Sequence, residues 1–125
     1  TWFATVLMFI IIAWLSTAPM FRGGQEEARL RMVGEKYAAA AGFDEVHDIV
    51  LGRCSMCHSA EPNWEGMLWP PKGVMLETAE QIATQARRIY VQSGLSHAMP
   101  PNNLSYMEPE EREKIVAWFQ GAETP

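Results

Sequence analysis

The sequence is poor in the residues on which several kinds of chemistry depend. It holds only two cysteines, Cys54 and Cys57, and three histidines, His47, His58 and His97. No second cysteine pair exists to complete a four-ligand zinc site, and His47 and His97 stand at unhelpful distances along the chain. No run alternates apolar and polar residues with the two-residue period of a half-buried strand, and no segment repeats. Basic residues are neither clustered nor in excess, with 10 Lys and Arg against 15 Asp and Glu, so the electrostatic footprint of a nucleic-acid binder is missing. What remains is an all-α chain with a mildly acidic, solvated surface and no nucleic acid among its expected partners.

Charge is absent altogether from Thr1 to Phe21, where the residues from Trp2 to Ala18 are apolar on all sides. A helix rising about 1.5 Å per residue over this stretch reaches roughly 30 Å, the thickness of the hydrocarbon layer. Residues 1–21 therefore predict a transmembrane helix, with the lipid bilayer as a partner. A cleaved signal peptide is the rival, because Ser16-Thr17-Ala18 is small enough to be cut. Against it, the chain shows neither a basic n-region nor an initiator Met, and the apolar run is longer than an ordinary h-region. A chain that opens directly in a span is expected to continue a longer polypeptide.

Pro19 and the pair Gly23-Gly24 are expected to close the span, and residues 22–41 to form a short stalk. Gln25 to Ala41 is polar and Ala-rich; Ala28, Met32 and Val33 recur at helical spacing, but Gly34 interrupts them. Residues 42–125 form the globular domain. There Phe43, Val46 and Val50 share a helical face that continues into Cys54, so a helix delivers the cysteine pair from its C-terminal end. Pro62, Gly66, Pro70, Pro71 and Gly73 break up residues 59–77, which read as loop. Thr78-Ala-Glu-Gln81 has the form of a capping box and predicts a second helix to about Ser93, with Ile82, Ala86, Ile89 and Tyr90 as its stripe and Gly94 as its stop. Pro100-Pro101-Asn102-Asn103 excludes helix. The last helix starts at Pro109, has Glu110, Glu111 and Glu113 at the positive end of its dipole, turns Ile115, Trp118 and Phe119 inward, and ends at Gly121.

Cys54-Ser55-Met56-Cys57-His58 is the C-x-x-C-H pattern of covalent haem c attachment. On one helical turn the two sulfurs share a face and can reach both vinyl groups of a single porphyrin. The next residue then supplies the imidazole ligand to the iron. A thioredoxin-like dithiol is the competing use of this pair, but it should follow a strand, and the residues before Cys54 have helical periodicity. Because haem c is attached outside the cytoplasm, the domain is expected on the periplasmic side. Arg22, Arg29, Arg31 and Lys36 after the span favour the opposite side by the positive-inside rule, but that rule is a bias whereas attachment is obligatory.

The sixth iron ligand decides the functional class: an open position binds gases or peroxide, and His with Met makes an electron carrier. Met8 lies in the span, Met20 and Met32 in the stalk, and Met56 inside the motif itself. Met67, Met75, Met99 and Met107 remain. Met99 is favoured, since Pro100 and Pro101 hold its segment extended without competing backbone donors. A methionine filling an irregular core gap is the plainer alternative, and His97 is the reserve ligand. Around the haem, the carbonyl of Pro70 or Pro71 is expected to accept from the His58 ring and fix its tautomer. Trp64 and Trp69 are candidates to wall the group or reach a propionate, and Lys72, Arg87 and Arg88 to pair with propionates. Plain core packing and a solvated face are the competing roles.

Residues 43–121, with the helix entering C-x-x-C-H, the Met-Pro loop and the Pro-Glu-Glu helix with its aromatic pair, resemble class I cytochromes c. That resemblance implies a small helical shell whose first and last helices cross, setting Phe43, Val46 and Val50 against Ile115, Trp118 and Phe119. Nearly the whole chain is similar to the C-terminal part of the bacterial membrane-integral urate oxidases. The similarity is carried by Ala13-Trp-Leu-Ser before Pro19, Val46-x-x-Ile49-Val50-x-x-Arg53-Cys-x-Met-Cys-His58, Pro71-Lys-Gly-Val-Met-Leu76, and Ala98-Met-Pro100 followed by Asn103.

In that family several membrane helices precede a cytochrome c domain, and the membrane part oxidises urate to 5-hydroxyisourate. The resemblance implies one haem c on Cys54, Cys57, His58 and Met99; Pro71 and Trp69 are expected, from their places near the motif, among the residues that contact it. It also implies electrons arriving from an upstream membrane domain of the same polypeptide and leaving to a soluble cytochrome c or terminal oxidase at the bacterial inner membrane. A free-standing, membrane-anchored cytochrome c carrier is the alternative, and a haem-based gas or redox sensor is a third.

Overall fold

In the computed structural model, residues 1–124 are described, the side chains of 19–22 excepted. The described residues are all helical or irregular, with no strand. They fall into two compact units, Thr1–Met32 and Val33–Pro125.

The first unit is the greater part of helix α1, Trp2–Ala38, which is long and apolar enough to cross a membrane, with a mean hydropathy of 2.0 over its most apolar window. Between Trp2 and Ala18, apolar residues on every face leave it no polar stripe to turn toward water. Two of its hydroxyls are satisfied locally: Thr5 donates to the Thr1 carbonyl at 3.0 Å and Thr17 to that of Ala13 at 2.9 Å, so neither needs an outside partner. The helix is continuous to Ala38, and Gly23-Gly24 do not close it. Glycine inside a helix costs only about 1 kcal/mol, which neighbouring helix formers can offset. The proposed closing role of Pro19, and the placements of Met20 and Arg22, lie outside the described side chains.

The second unit takes in Val33 to Ala41, which by composition read as stalk. Gly34 and Tyr37 are buried within it. Helix α2, Phe43–Arg53, follows a left-handed Gly42 and buries Phe43, Val46 and Val50. Helix α5, Pro109–Glu123, buries Arg112, Ile115 and Trp118. These faces share one core with Tyr37, Ile82, Ala83, Ala86, Ile89 and Met107. The Phe43 and Trp118 rings stand 5.9 Å apart, and the Trp118 indole donates to the Tyr37 carbonyl at 3.0 Å. α5 runs past Gly121 to Glu123. It begins with a reciprocal cap, in which the Glu108 N–H donates to the Glu111 carboxylate at 2.7 Å.

Thr78 and Gln81 form the expected capping box at α3, Ala79–Thr84. The helix does not run unbroken to Ser93. It resets at Gln85, resumes as α4, Ala86–Ile89, and widens into a π-helical segment, Tyr90–Leu95, that passes through Gly94. Gly94 is required there by close approach, since a Cβ on it would lie 2.9 Å from Val116 Cγ2. Short 3-10 turns at Pro71–Gly73 and Pro101–Asn103 interrupt the two loops; the second falls where the prolines had argued against any helical turn. Proline at the first position of such a turn lacks only an N–H that would have had no partner.

Candidate functional site

Cys54 is the residue at which α2 ends, and its N–H still bonds to the Val50 carbonyl at 2.9 Å. The chain then turns tightly, with the N–H groups of Cys57 and His58 both directed at the Cys54 carbonyl at 3.2 and 2.9 Å. The amphipathic stripe of α2 thus buries Cys54 in the core, while Cys57 and His58 stay partly exposed beside it. Burial pushes the Cys54 thiol up to about 12, the neighbouring Cys57 adding to the rise and the nearby Arg112 charge opposing it. Burial raises Cys57 as well. Neutral thiols at the negative end of a helix are the opposite of what a thiolate nucleophile needs. The described residues also contain no strand to carry a thioredoxin-like motif. Among them, no three His, Cys, Asp or Glu side chains are grouped to hold a metal ion.

His58 is oriented by its own backbone and by a distant carbonyl. The His58 C=O accepts from the Leu76 N–H at 2.6 Å, and its ring Nδ1 lies 2.9 Å from the Val74 carbonyl. A carbonyl can only accept, so Nδ1 carries the proton and Nε2 keeps its lone pair for a metal. The partner expected at Pro70 or Pro71 is therefore Val74. The two proline carbonyls are occupied by the N–H groups of Gly73 and Val74, at 3.0 and 3.1 Å, within the turn. Pro71 opens that turn, half-buried, and Trp69 is 71% exposed. Lys72, Arg87 and Arg88 are exposed, as is Trp64.

Of the four candidate methionines, Met107 is buried in the core, Met75 is exposed, and Met67 and Met99 are intermediate. The Met99 backbone is held at both ends: its N–H donates to the Gln92 carbonyl at 2.9 Å, and its C=O accepts from Arg112 at 2.9 Å; Met107 is tied likewise, to the Asn103 side chain, but is buried in the core. His97 is exposed and His47 half-buried, 3.5 Å from Asp48. Arg53, the residue before Cys54, grips both Glu111 oxygens at 3.0 and 3.1 Å and the Ser105 carbonyl at 2.9 Å. The cysteine end of α2, the Met99 loop and the start of α5 are thereby joined.

In the second unit, the large apolar side chains left exposed all lie between Trp64 and Tyr106, in the loop after His58 and in the segment around Met99; none is on α2 or α5. Exposed apolar side chains in these two segments could cover an apolar group. Together with two neutral thiols on one turn and an imidazole whose Nε2 is free, they fit a covalently held haem. Sequence inspection missed Val74 and Arg112. Arg112 could have been found: it falls on the Ile115 and Phe119 face of α5, where a charged residue has to be buried.

No protein family, curated protein or solved structure compared with the chain matches it.

Proposed function

We propose that the second unit is a haem c electron-transfer domain of the class I cytochrome c type, with Cys54 and Cys57 as the thioether anchors, His58 as the proximal ligand and Met99 as the distal one. The observation that carries this is the C-x-x-C-H turn at the end of α2 with the His58 Nδ1 proton tied to the Val74 carbonyl, the tautomer that iron ligation requires. Bound haem supplies a one-electron Fe(III)/Fe(II) couple. The chain supplies the rest. His58 directs its Nδ1 N–H at the Val74 carbonyl, which leaves Nε2 as the nitrogen that would hold the iron. The apolar side chains of 64–75 and 91–106 exclude water, and the ties on the Met99 backbone limit how far its thioether can move.

With α1 as a membrane anchor, the domain sits at the periplasmic face of a bacterial inner membrane. Its resemblance to the membrane-integral urate oxidases supports a place as the electron exit of a urate-oxidising membrane domain, delivering to a soluble cytochrome c or a terminal oxidase. The test is direct. Full-length protein in membranes should show haem reduction on adding urate without another reductant, and Cys54→Ala with Cys57→Ala should abolish haem that survives denaturing electrophoresis. Covalent haem without urate-driven reduction removes the urate assignment, and no covalent haem in the unmutated chain removes the whole proposal.

A further inference from the structure

Arg112 is 7% exposed, yet among the described residues no carboxylate pairs with it. A buried cation is costly unless every donor is engaged. Here the acceptors are neutral and all belong to the path around Met99: the carbonyls of Ser93, at 2.6 Å, and Met99, at 2.9 Å, and the Asn103 side-chain oxygen, at 3.2 Å.

The backbone is shaped to offer them. Near the end of the π-helical segment Tyr90–Leu95, the Gln92 carbonyl accepts from the Met99 N–H and the Ser96 hydroxyl, and the Ser93 carbonyl accepts from Arg112. Asn103 is held in turn, its side chain exchanging hydrogen bonds with the Met107 N–H and C=O at 3.0 and 3.1 Å. The same segment keeps His97, Asn102, Asn103 and Tyr106 at positive φ, conformations that persist only when surrounding bonds hold them.

From this we infer that Arg112 is a positioning residue, a buried guanidinium clamp that holds the Met99 loop in its iron-ligating place and, through its uncompensated charge, favours the ferrous state. This rests on Met99 ligation as proposed above. The clamp explains why an arginine rather than a lysine occupies the site: a planar fork can reach three fixed acceptors, whereas a single ammonium cannot span them.

The experiment uses the full-length haem-loaded protein, unmutated and as Arg112→Lys, Arg112→Gln and Asn103→Ala. It reads the ferric thioether charge-transfer band, the affinity for imidazole as a competitor of Met99, and the reduction potential. Losing one charged hydrogen bond should raise imidazole affinity at least about tenfold. All three variants should show that rise. Arg112→Gln should also lower the potential, and Arg112→Lys should lower it less because the charge is kept. Should Arg112→Gln yield no folded protein, Arg112→Lys and Asn103→Ala still decide. Variants with the unmutated band, affinity and potential overturn the clamp. An unmutated protein without the band overturns Met99 ligation itself, and the clamp with it.

Discussion

Replacing Trp118 with phenylalanine removes two things at once. The indole N–H that donates to the Tyr37 carbonyl at 3.0 Å is lost, and so is part of a ring that is only 2% exposed and packs 5.7 Å from Tyr37 and 5.9 Å from Phe43. The Tyr37 carbonyl keeps the Ala40 N–H at 3.3 Å, so losing the indole bond costs about 1 kcal/mol. The smaller ring leaves roughly 40 Å³ unfilled, which adds about 1 kcal/mol. The expected loss is about 2 kcal/mol, a large part of the stability of a domain of this size. In a urea titration of the full chain in detergent, followed by far-ultraviolet circular dichroism, the midpoint of the domain transition should fall by about 1–2 M. Trp69→Phe is the control: the same chemical change on an exposed side chain should move the midpoint by less than about 0.5 M. Equal midpoints for the two variants would refute the assignment of Trp118 as the pin between Tyr37 and the core.

Met99→Ala should abolish the ferric thioether band, lower the reduction potential and speed carbon monoxide binding to the reduced protein; an unchanged spectrum and potential would remove Met99 as ligand. Burial alone would raise the Glu111 carboxyl, but hydrogen bonds from Arg53 and the Glu108 N–H, with the Arg53 and Lys114 charges, hold it below its usual 4.5. A depressed value means stability that is present above pH 4.5 and lost as the pH falls through the folded value. Glu111→Gln should therefore lose about 1 kcal/mol at neutral pH and show a shallower acid decline, and parallel stability curves down to acid pH would contradict this. Gly94→Ala should cost about 1–3 kcal/mol by overpacking, since the new methyl would meet Val116 Cγ2 at 2.9 Å. Adding Val116→Ala should recover most of that loss, and a double variant no more stable than the single would show that the contact is not the cause.

Much of the molecule follows from local rules that act within a few residues. An uncharged apolar stretch in α1 can bury its backbone polar groups in lipid only as a helix, so its character is legible from composition. The stripe Phe43, Val46, Val50 and Cys54, the Thr78–Gln81 box and the Pro109 start are each set by side chains one turn apart. The C-x-x-C-H motif carries its chemistry in adjacent residues for the same reason.

Tertiary structure decided what depends on partners distant in sequence. Val74 rather than Pro70 or Pro71 meets His58, because the turn at Pro71–Gly73 spends the proline carbonyls on its own N–H groups. Tyr37 belongs to the core because Trp118, far along the chain, needs its carbonyl. Arg112 looks like one more charge on an acidic helix until the π-helical segment and the Met99 loop bring three neutral acceptors to it. Periodicity can show which side chains turn inward; only the folded chain shows which acceptors are waiting there.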